Sequence, residues 1–440
     1  MDPEALIVIR VFCDSPIWWD LLHPEETNTQ GKLGGQGRRQ SFSSLVWRKD
    51  TAEALKKLVR GVSASKYGNR VIGYMPTAGD TEEMSKHIDS GVCTQKRFRE
   101  WLFARYGKDN GEIERLFGNK IEEIAFPSPA ERSKADCGNF LDPQKSRLVI
   151  ELRQFHSDEI VDSGLAFCKA VKEASDGRLL TGTFYGYTQL WPDTGHLALR
   201  RMLDSEHIDF VTTAGGGGAS ENDSIIKMFG QMRIAAEESI SRPRGSVSQV
   251  AVFVDENSFR YLPYGVSDRN KNNKFLWIRA QVGAAGYIGA PNDFYLFDDL
   301  KDLDLSRFRM LVFVNAFALS EEQRAMIRER CMNDKRLLVW VYAPGLIKDN
   351  LSADNISSLL GMKVRMEATH PKAQISVKFP GETKVYNYEG AEVSPFFHVV
   401  EGADAEVGHT AEGRVVVAEK NDTFDIPCTN GMTRIFQILP

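Results

Sequence analysis

The stretch Arg70–Met84, RVIGYMPTAGDTEEM, constrains the fold more than any other part of the chain. Val71, Ile72, Gly73, Tyr74 and Met75 form a short apolar run with the character of a buried strand. Pro76 and Gly79 break that run, and two adjacent carboxylates follow, Glu82 and Glu83. A hydrophobic strand ending in a glycine-broken loop that carries acids is how α/β barrels place catalytic groups, at the C-terminal ends of their strands.

The flanking sequence supplies a matching alternation. Residues 5–12 (ALIVIRVF), 179–186 and 207–213 read as further strands. Helical spacing appears over 46–64, 96–106 and 195–204, and a long helix is expected from Asp142 as cap and Pro143 as first residue, running to about Gly177. The polar stretches 27–44 and 125–142 read as loops. Pro243 and Gly245 mark a boundary, so the expected domains are 1–243 and 244–440. Beyond it, strands at 249–254, 293–297, 310–315 and 336–342 alternate with helices near 274–286 and 320–332, the second opened by a Ser320/Gln323 capping box. That order implies a parallel, doubly wound sheet. From about residue 362 the chain is strand-rich, most clearly at 414–419 and 433–438.

Composition excludes several classes. A net charge of −5 gives no basic surface for nucleic acid or an anionic membrane. No apolar run approaches the ~20 residues of a membrane span. The N-terminus, MDPEALIVIRVF, carries no leader signature. Six dispersed cysteines without a CxxC pair fit reduced thiols in a cytoplasmic protein. The eight histidines show no metal-ligand spacing, so neither a metal nor a cofactor is expected.

Four segments together resemble the family 42 glycoside hydrolases, the β-galactosidases and their bacterial β-galactosidase-like relatives. They are Phe12–Trp19 (FCDSPIWW); Ser41–Val59 running into VIGYMPTAGDTEEM; Gly177–Tyr187 with Gly195–Phe210; and Asp293–Leu300 with Met310–Arg324 and Leu337–Gly345. The resemblance implies a TIM barrel followed by a flavodoxin-like (class I amidotransferase-like) trimerisation domain, hence a homo-oligomer, and a carbohydrate substrate. It implies retaining hydrolysis of β-linked galactosides, in which one carboxylic acid protonates the glycosidic oxygen and a carboxylate about 5–5.5 Å away attacks the anomeric carbon. In relatives the acid/base precedes an aromatic residue at the position of Met84 here, which selects Glu83, with Glu82 as the alternative.

Two departures qualify the resemblance. Only four strands precede residue 241, whereas a closed barrel needs eight. The strand at 207–213 runs directly into Gly215–Gly218, where relatives continue to the nucleophile strand, so that strand is expected to be missing and the nucleophile is unknown. Glu237 and Glu238 do not replace it, because their apolar neighbours repeat at helical spacing. The fold expected is therefore an incomplete (β/α)8 barrel followed by a doubly wound domain. Asp14, Trp18 and Trp19 either contact a sugar or cap and pack a strand end, with Asp14 and Trp19 the better sugar ligands. Tyr185 and Tyr187 either line the sugar site or belong to core and rim. The run Gly215–Gly218 lacks both the dinucleotide and the Walker pattern. The functional alternatives are a non-catalytic carbohydrate-binding or assembly protein and, more remotely, a nucleotide-binding protein.

Overall fold

The computed structural model describes residues 5–29, 39–79, 82–187, 192–212, 234, 237–240, 245–265, 284–285, 287–332, 336–368, 373–379, 381–388, 394–421 and 433–437. A four-stranded sheet contains β1 (Ile7–Phe12), β2 (Val71–Thr77), β3 (Leu180–Phe184) and β4 (Phe210–Thr212) in that order. All three pairings are parallel. The crossovers carry α1 (Ile17–Leu22) and α2 (Leu45–Ser63), then α3 (Val92–Arg105), α4 (Asn110–Phe117), α5 (Pro129–Ser133) and α6 (Arg147–Ala174), then α7 (Leu199–Leu203). Each of β1, β2 and β3 thus leads through helix to its parallel neighbour, as a βαβ unit requires. Among the described residues β1 and β4 both remain edges and the barrel does not close.

Alternation along the strands sets which face is buried. Ile9 lies opposite Tyr74 in the ladder, and both pack with Val11 against Val59 of α2 and Val171 of α6. Val8, Arg10 and Phe12 alternate onto the other face and are exposed. In a closed barrel that face would be the packed interior.

The second sheet contains β5 (Val250–Val254), β6 (Asn292–Leu296), β7 (Met310–Val314) and β8 (Leu337–Val341), then β9 (Lys363–Glu367), β10 (Ala373–Phe379), β11 (Glu382–Tyr388), β12 (Phe396–Glu401), β13 (Ala405–Thr410), β14 (Val415–Asn421) and β15 (Thr433–Gln437). Its parallel part has the order β6-β5-β7-β8-β15. Counted along the parallel strands alone this is 2-1-3-4-5, the flavodoxin order. The antiparallel strands extend it through β14. Helix α8 (Glu321–Cys331) begins at the expected capping box, with Ser320 Oγ accepting from Gln323 N and Gln323 Oε1 accepting from Ser320 N. Helix α9 (Ala353–Leu360) ends at Gly361, in the left-handed conformation. Phe313 stacks on Trp340 at 4.2 Å and on Phe253 at 5.4 Å, and all three are fully buried.

Two expected helix starts are corrected by local hydrogen bonding. Helix α6 begins at Arg147, because Gln144 N donates to Asp142 Oδ1 and Lys145 N and Ser146 N donate to Asp142 O, which closes a separate turn first. Helix α7 spans only 199–203, because Glu256 reaches across from the end of β5 to accept from Leu199 N at 2.8 Å and Arg200 N at 3.3 Å. Glu256 thereby satisfies two donors that any helix start leaves without intrahelical partners. The expected loop at 125–142 also docks on the second sheet's core. Phe140 is fully buried edge-on to Phe317, and Leu141 N donates to Tyr261 O.

Cys13, Cys93, Cys137, Cys168 and Cys331 are unpaired, and Cys428 lies outside the described residues. Among the described residues no helix is long and apolar enough to cross a membrane.

Candidate active site

The C-terminal end of β2 is held to the C-terminal end of β1. Cys13 N donates to Thr77 O, and Asp14 Oδ1 then accepts from Gly79 N at 2.9 Å and from Gln40 Nε2 at 2.6 Å. Gly79 has φ +89°, and a Cβ there would sit 2.2 Å from Ser85 O. The position therefore needs glycine for both its conformation and its space. Glu82 N donates to Gly79 O, and Glu82 and Met84 take φ +62° and +49°. Left-handed backbone at two non-glycine residues within one turn is sparsely populated and persists where neighbours over-determine it. Here Met84 is the anchor, fully buried in a cluster with Ile160, Tyr185 and Met202.

Glu82 and Glu83 are both half-buried on this pinned turn. Glu82 turns to the exposed sheet face, where its carboxylate lies 3.3 Å from Arg10 Nη2 and its carbonyl accepts from the same group at 2.9 Å. The Arg10 guanidinium also lies 4.6 Å from the Phe184 ring centroid and 5.2 Å from that of Phe12. Cation–π contact of this kind orients the guanidinium. Arg10 was legible as the one charge in an otherwise apolar strand; Gln40, inside a polar loop, carried no such signal.

Asp14 borders a cleft of about 360 Å³ between β1 and α2, lined also by Phe12, Trp18, Trp19, Trp47 and Leu58. Trp19 is 5% exposed, with Nε1 donating to Asp50 Oδ2 at 3.0 Å and its ring 4.5 Å from that of His23. Trp18 is 63% exposed. Trp47 Nε1 donates to Cys13 O and fixes the strand end from below. Burial raises the Asp20 carboxyl above its ordinary range, against the lowering effect of Ser15 and Arg39.

Tyr185 and Tyr187 lie beyond β3 and are buried around His196. Tyr185 Oη donates to Gly195 O and accepts from Ala198 N, and its ring stacks on His196 at 4.6 Å. Gly186 N and Tyr187 N both donate to His196 Nδ1. Burial depresses the His196 imidazole to about 3, so it is neutral at physiological pH. Neither tyrosine stands beside the acids by sequence, but Met84 brings the turn after β2 onto Tyr185.

Glu237 and Glu238 are helical and exposed. The expected junction at Gly215–Gly218 lies outside the described residues. Among the described residues no three His, Cys, Asp or Glu side chains are grouped to hold a metal ion.

With this geometry in hand, comparison with known proteins is specific. The model of the glycoside hydrolase 42 family, described as β-galactosidase, matches residues 13–230. No protein of curated function matches the chain. Among solved structures, the β-galactosidase of Bacillus circulans sp. alkalophilus superposes with a TM-score of 0.66 at 13% identity, covering 98% of this chain and 76% of its own. The enzyme of Rahnella sp. R3 gives 0.64 at 13% identity, with coverage of 98% and 76%. That of the psychrophilic Marinomonas ef1 gives 0.63 at 13% identity, with coverage of 98% and 78%. At such identity the superposition shows the fold, and the sequence match over residues 13–230 carries the relationship. Through those residues the chain belongs to the family 42 β-galactosidase-like glycoside hydrolases.

Proposed function

We propose that the chain acts on terminal β-linked galactosides, or closely related glycosides, by a retaining mechanism with Glu83 as acid/base. The observation that supports this most is the turn Gly79–Met84, fixed at one end by Asp14 and at the other by buried Met84, with the acids between. A positioned acid is effective when its geometry is set before substrate arrives. Glu82, engaged by Arg10, is the alternative acid. Asp14 and Trp19 are proposed sugar contacts. Tyr185 and Tyr187 are proposed to shape the same site, with direct sugar contact tested below. The nucleophile is unassigned, so turnover is expected to be weak. We further propose domains at 1–243 and 244–440, a homotrimer assembled through the second, and a cytoplasmic location in keeping with the unpaired thiols.

The test is hydrolysis of an aryl β-galactoside by the wild type, Glu83→Gln, Glu82→Gln and the pair Glu237→Ala/Glu238→Ala, with galactoside binding followed by calorimetry. Slow hydrolysis that disappears in Glu83→Gln while binding persists is the expected result. Loss in Glu82→Gln instead moves the acid/base one residue. Robust turnover that survives the paired alanines overturns the expectation of a weak enzyme. The second reading, a non-catalytic carbohydrate-binding or assembly protein, is favoured by a first sheet that has four strands and does not close among the described residues. Binding without turnover in every variant would select it.

A further inference from the structure

We propose that Glu256, which belongs to the second sheet's half of the chain, is a positioning residue for the turn that carries Glu82 and Glu83. It acts through the segment 192–203, which is joined to both. The catalytic meaning of this coupling rests on the acid/base role proposed above; the coupling itself does not.

On one side the segment supports the acid turn. Lys86 N, two residues beyond Met84, donates to Thr194 O at 3.3 Å. Met202 of α7 is fully buried in the same cluster as Met84. Gly164 of α6 leaves room for both, since a Cβ there would lie 3.3 Å from the terminal methyl of each. Ala198 N donates to Tyr185 Oη, and Tyr185 belongs to that cluster too.

On the other side the segment is held by residues that follow β5 and β6. Gly265 N donates to Asp193 Oδ2 at 2.8 Å, and Asp299 pairs with Arg200. Glu256 Oε2 and Oε1 accept from Leu199 N and Arg200 N. Three consecutive amides are thus divided between the two halves of the chain: Ala198 N goes to Tyr185, and the next two go to Glu256. Glu256 is 7% exposed, and its carboxylate takes both donors at the start of a helix of only five residues, 199–203. A helix this short has little hydrogen bonding of its own. Its position therefore depends on the cap, and with it the placement of Met202 against Met84.

The position of an acid matters because proton transfer to a leaving group depends on geometry at the scale of an ångström. A displaced turn leaves sugar binding intact and weakens protonation of the glycosidic oxygen. A galactoside whose leaving group departs without a proton is then spared.

The first measurement needs no substrate. Hydrogen exchange of the full chain is compared among wild type, Glu256→Ala, Glu256→Gln and Glu321→Ala, the last a control on an exposed, ion-paired carboxylate of α8. We expect Lys86 N to exchange about tenfold faster in Glu256→Ala, the order of one lost hydrogen bond. An intermediate rate is expected in Glu256→Gln, which keeps one acceptor, and the wild-type rate in Glu321→Ala. Faster exchange confined to Leu199 and Arg200, with Lys86 N unchanged, overturns the proposal. Should Glu256→Ala not fold, Glu256→Gln decides by the same criterion. The second measurement is kcat/KM for phenyl and dinitrophenyl β-galactosides. In Glu256→Ala it should fall about tenfold for the phenyl compound and stay within about twofold for the dinitrophenyl one, with most of the loss restored in Glu256→Gln. An equal fall on both substrates, while Glu83→Gln separates them, overturns the positioning role. If exchange responds as expected but no variant separates the substrates, Glu83→Gln included, the acid/base assignment fails and the coupling stands.

Discussion

Asp14 Oδ1 accepts the Gly79 amide at 2.9 Å, and this bond ties the end of β1 to the turn that presents Glu82 and Glu83. The same oxygen takes Gln40 Nε2 at 2.6 Å, so one carboxylate organises a strand end, a turn and the loop before α2. Hydrogen bonds to an ionised acceptor contribute about 1.5–3 kcal/mol each. Asp14→Ala is therefore expected to lower unfolding free energy by roughly 2–4 kcal/mol, less than the sum because water enters the half-buried site. Asp14→Asn keeps an acceptor for Gly79 N and should lose less. Urea denaturation of both variants checks the order, and equal losses would mean that the charge is not what the turn uses.

Gly79 and Gly177 provide a matched comparison of backbone and space. Both have positive φ, +89° and +73°, but a Cβ at Gly177 meets nothing within 4 Å, while one at Gly79 lies 2.2 Å from Ser85 O. Left-handed backbone costs a residue with a Cβ about 1–2 kcal/mol. Gly177→Ala should show about that penalty alone. Gly79→Ala adds a collision with backbone, so a loss above about 2 kcal/mol is expected, together with weaker galactoside binding. Thermal melts give the first quantity and calorimetry the second. Similar losses in the two variants would show that the turn after β2 yields more readily than its geometry implies.

The four strands of the first sheet and the parallel strands of the second were legible because each is a compact apolar run bounded by turn residues. Residues 5–12 became Ile7–Phe12, and 310–315 became Met310–Val314. The flavodoxin-like arrangement came through the family resemblance and not from the strands themselves, since strand order rests on pairings between distant segments such as Thr433 with Leu337. The same limit left the second sheet's antiparallel strands β9 to β13 as one strand-rich stretch without separate bounds, because their register depends on long-range partners. At the site, the acids and Asp14 could be read as strand-end residues. Their mutual support could not, because Asp14 and Gly79 are joined by a side-chain hydrogen bond across 65 residues. Polar burial was invisible too: Arg153 pairs with Asp193 inside the protein, although each alone reads as a surface residue.

Two buried groups of opposite character should shape stability against pH. Asp255 and Glu256 are raised to about 7 chiefly by burial, against the lowering hydrogen bonds of Ser258 and of Leu199 and Arg200 respectively. Unfolded carboxyls titrate near ~4. The unfolded chain thus releases these protons first as pH rises, and their stabilisation is complete below about pH 4 and is lost as pH rises through about 7. His156 and His196 are held down to about 3 by burial, so their contribution is present above ~6.5 and is lost as pH falls toward 3. In Asp255→Asn, the wild-type advantage in unfolding free energy should shrink from pH 4 to 7. In His196→Asn, which keeps an acceptor for Gly186 N and Tyr187 N, it should grow over pH 3 to 6.5. A flat difference in both variants would remove the buried groups as the source of the pH dependence.

Tyr185 allows a direct decision between packing and sugar contact. Its hydroxyl donates to Gly195 O at 2.8 Å and accepts from Ala198 N at 3.2 Å, and the residue is 2% exposed. Tyr185→Phe leaves both backbone groups inside the protein without the hydroxyl. Stranding a buried polar group costs about 1–3 kcal/mol, whereas the ring's stacking on His196 is retained. A residue that only packs should therefore lose stability by that amount and leave the affinity for galactoside within about twofold. A residue that hydrogen-bonds the sugar should weaken binding roughly tenfold, the equivalent of about 1.4 kcal/mol, with little change in melting temperature. The burial and the two backbone partners favour the first outcome. The second would require the 185–198 segment to open when sugar binds, and hydrogen exchange at Gly195 and Ala198 with and without galactoside would then report the opening.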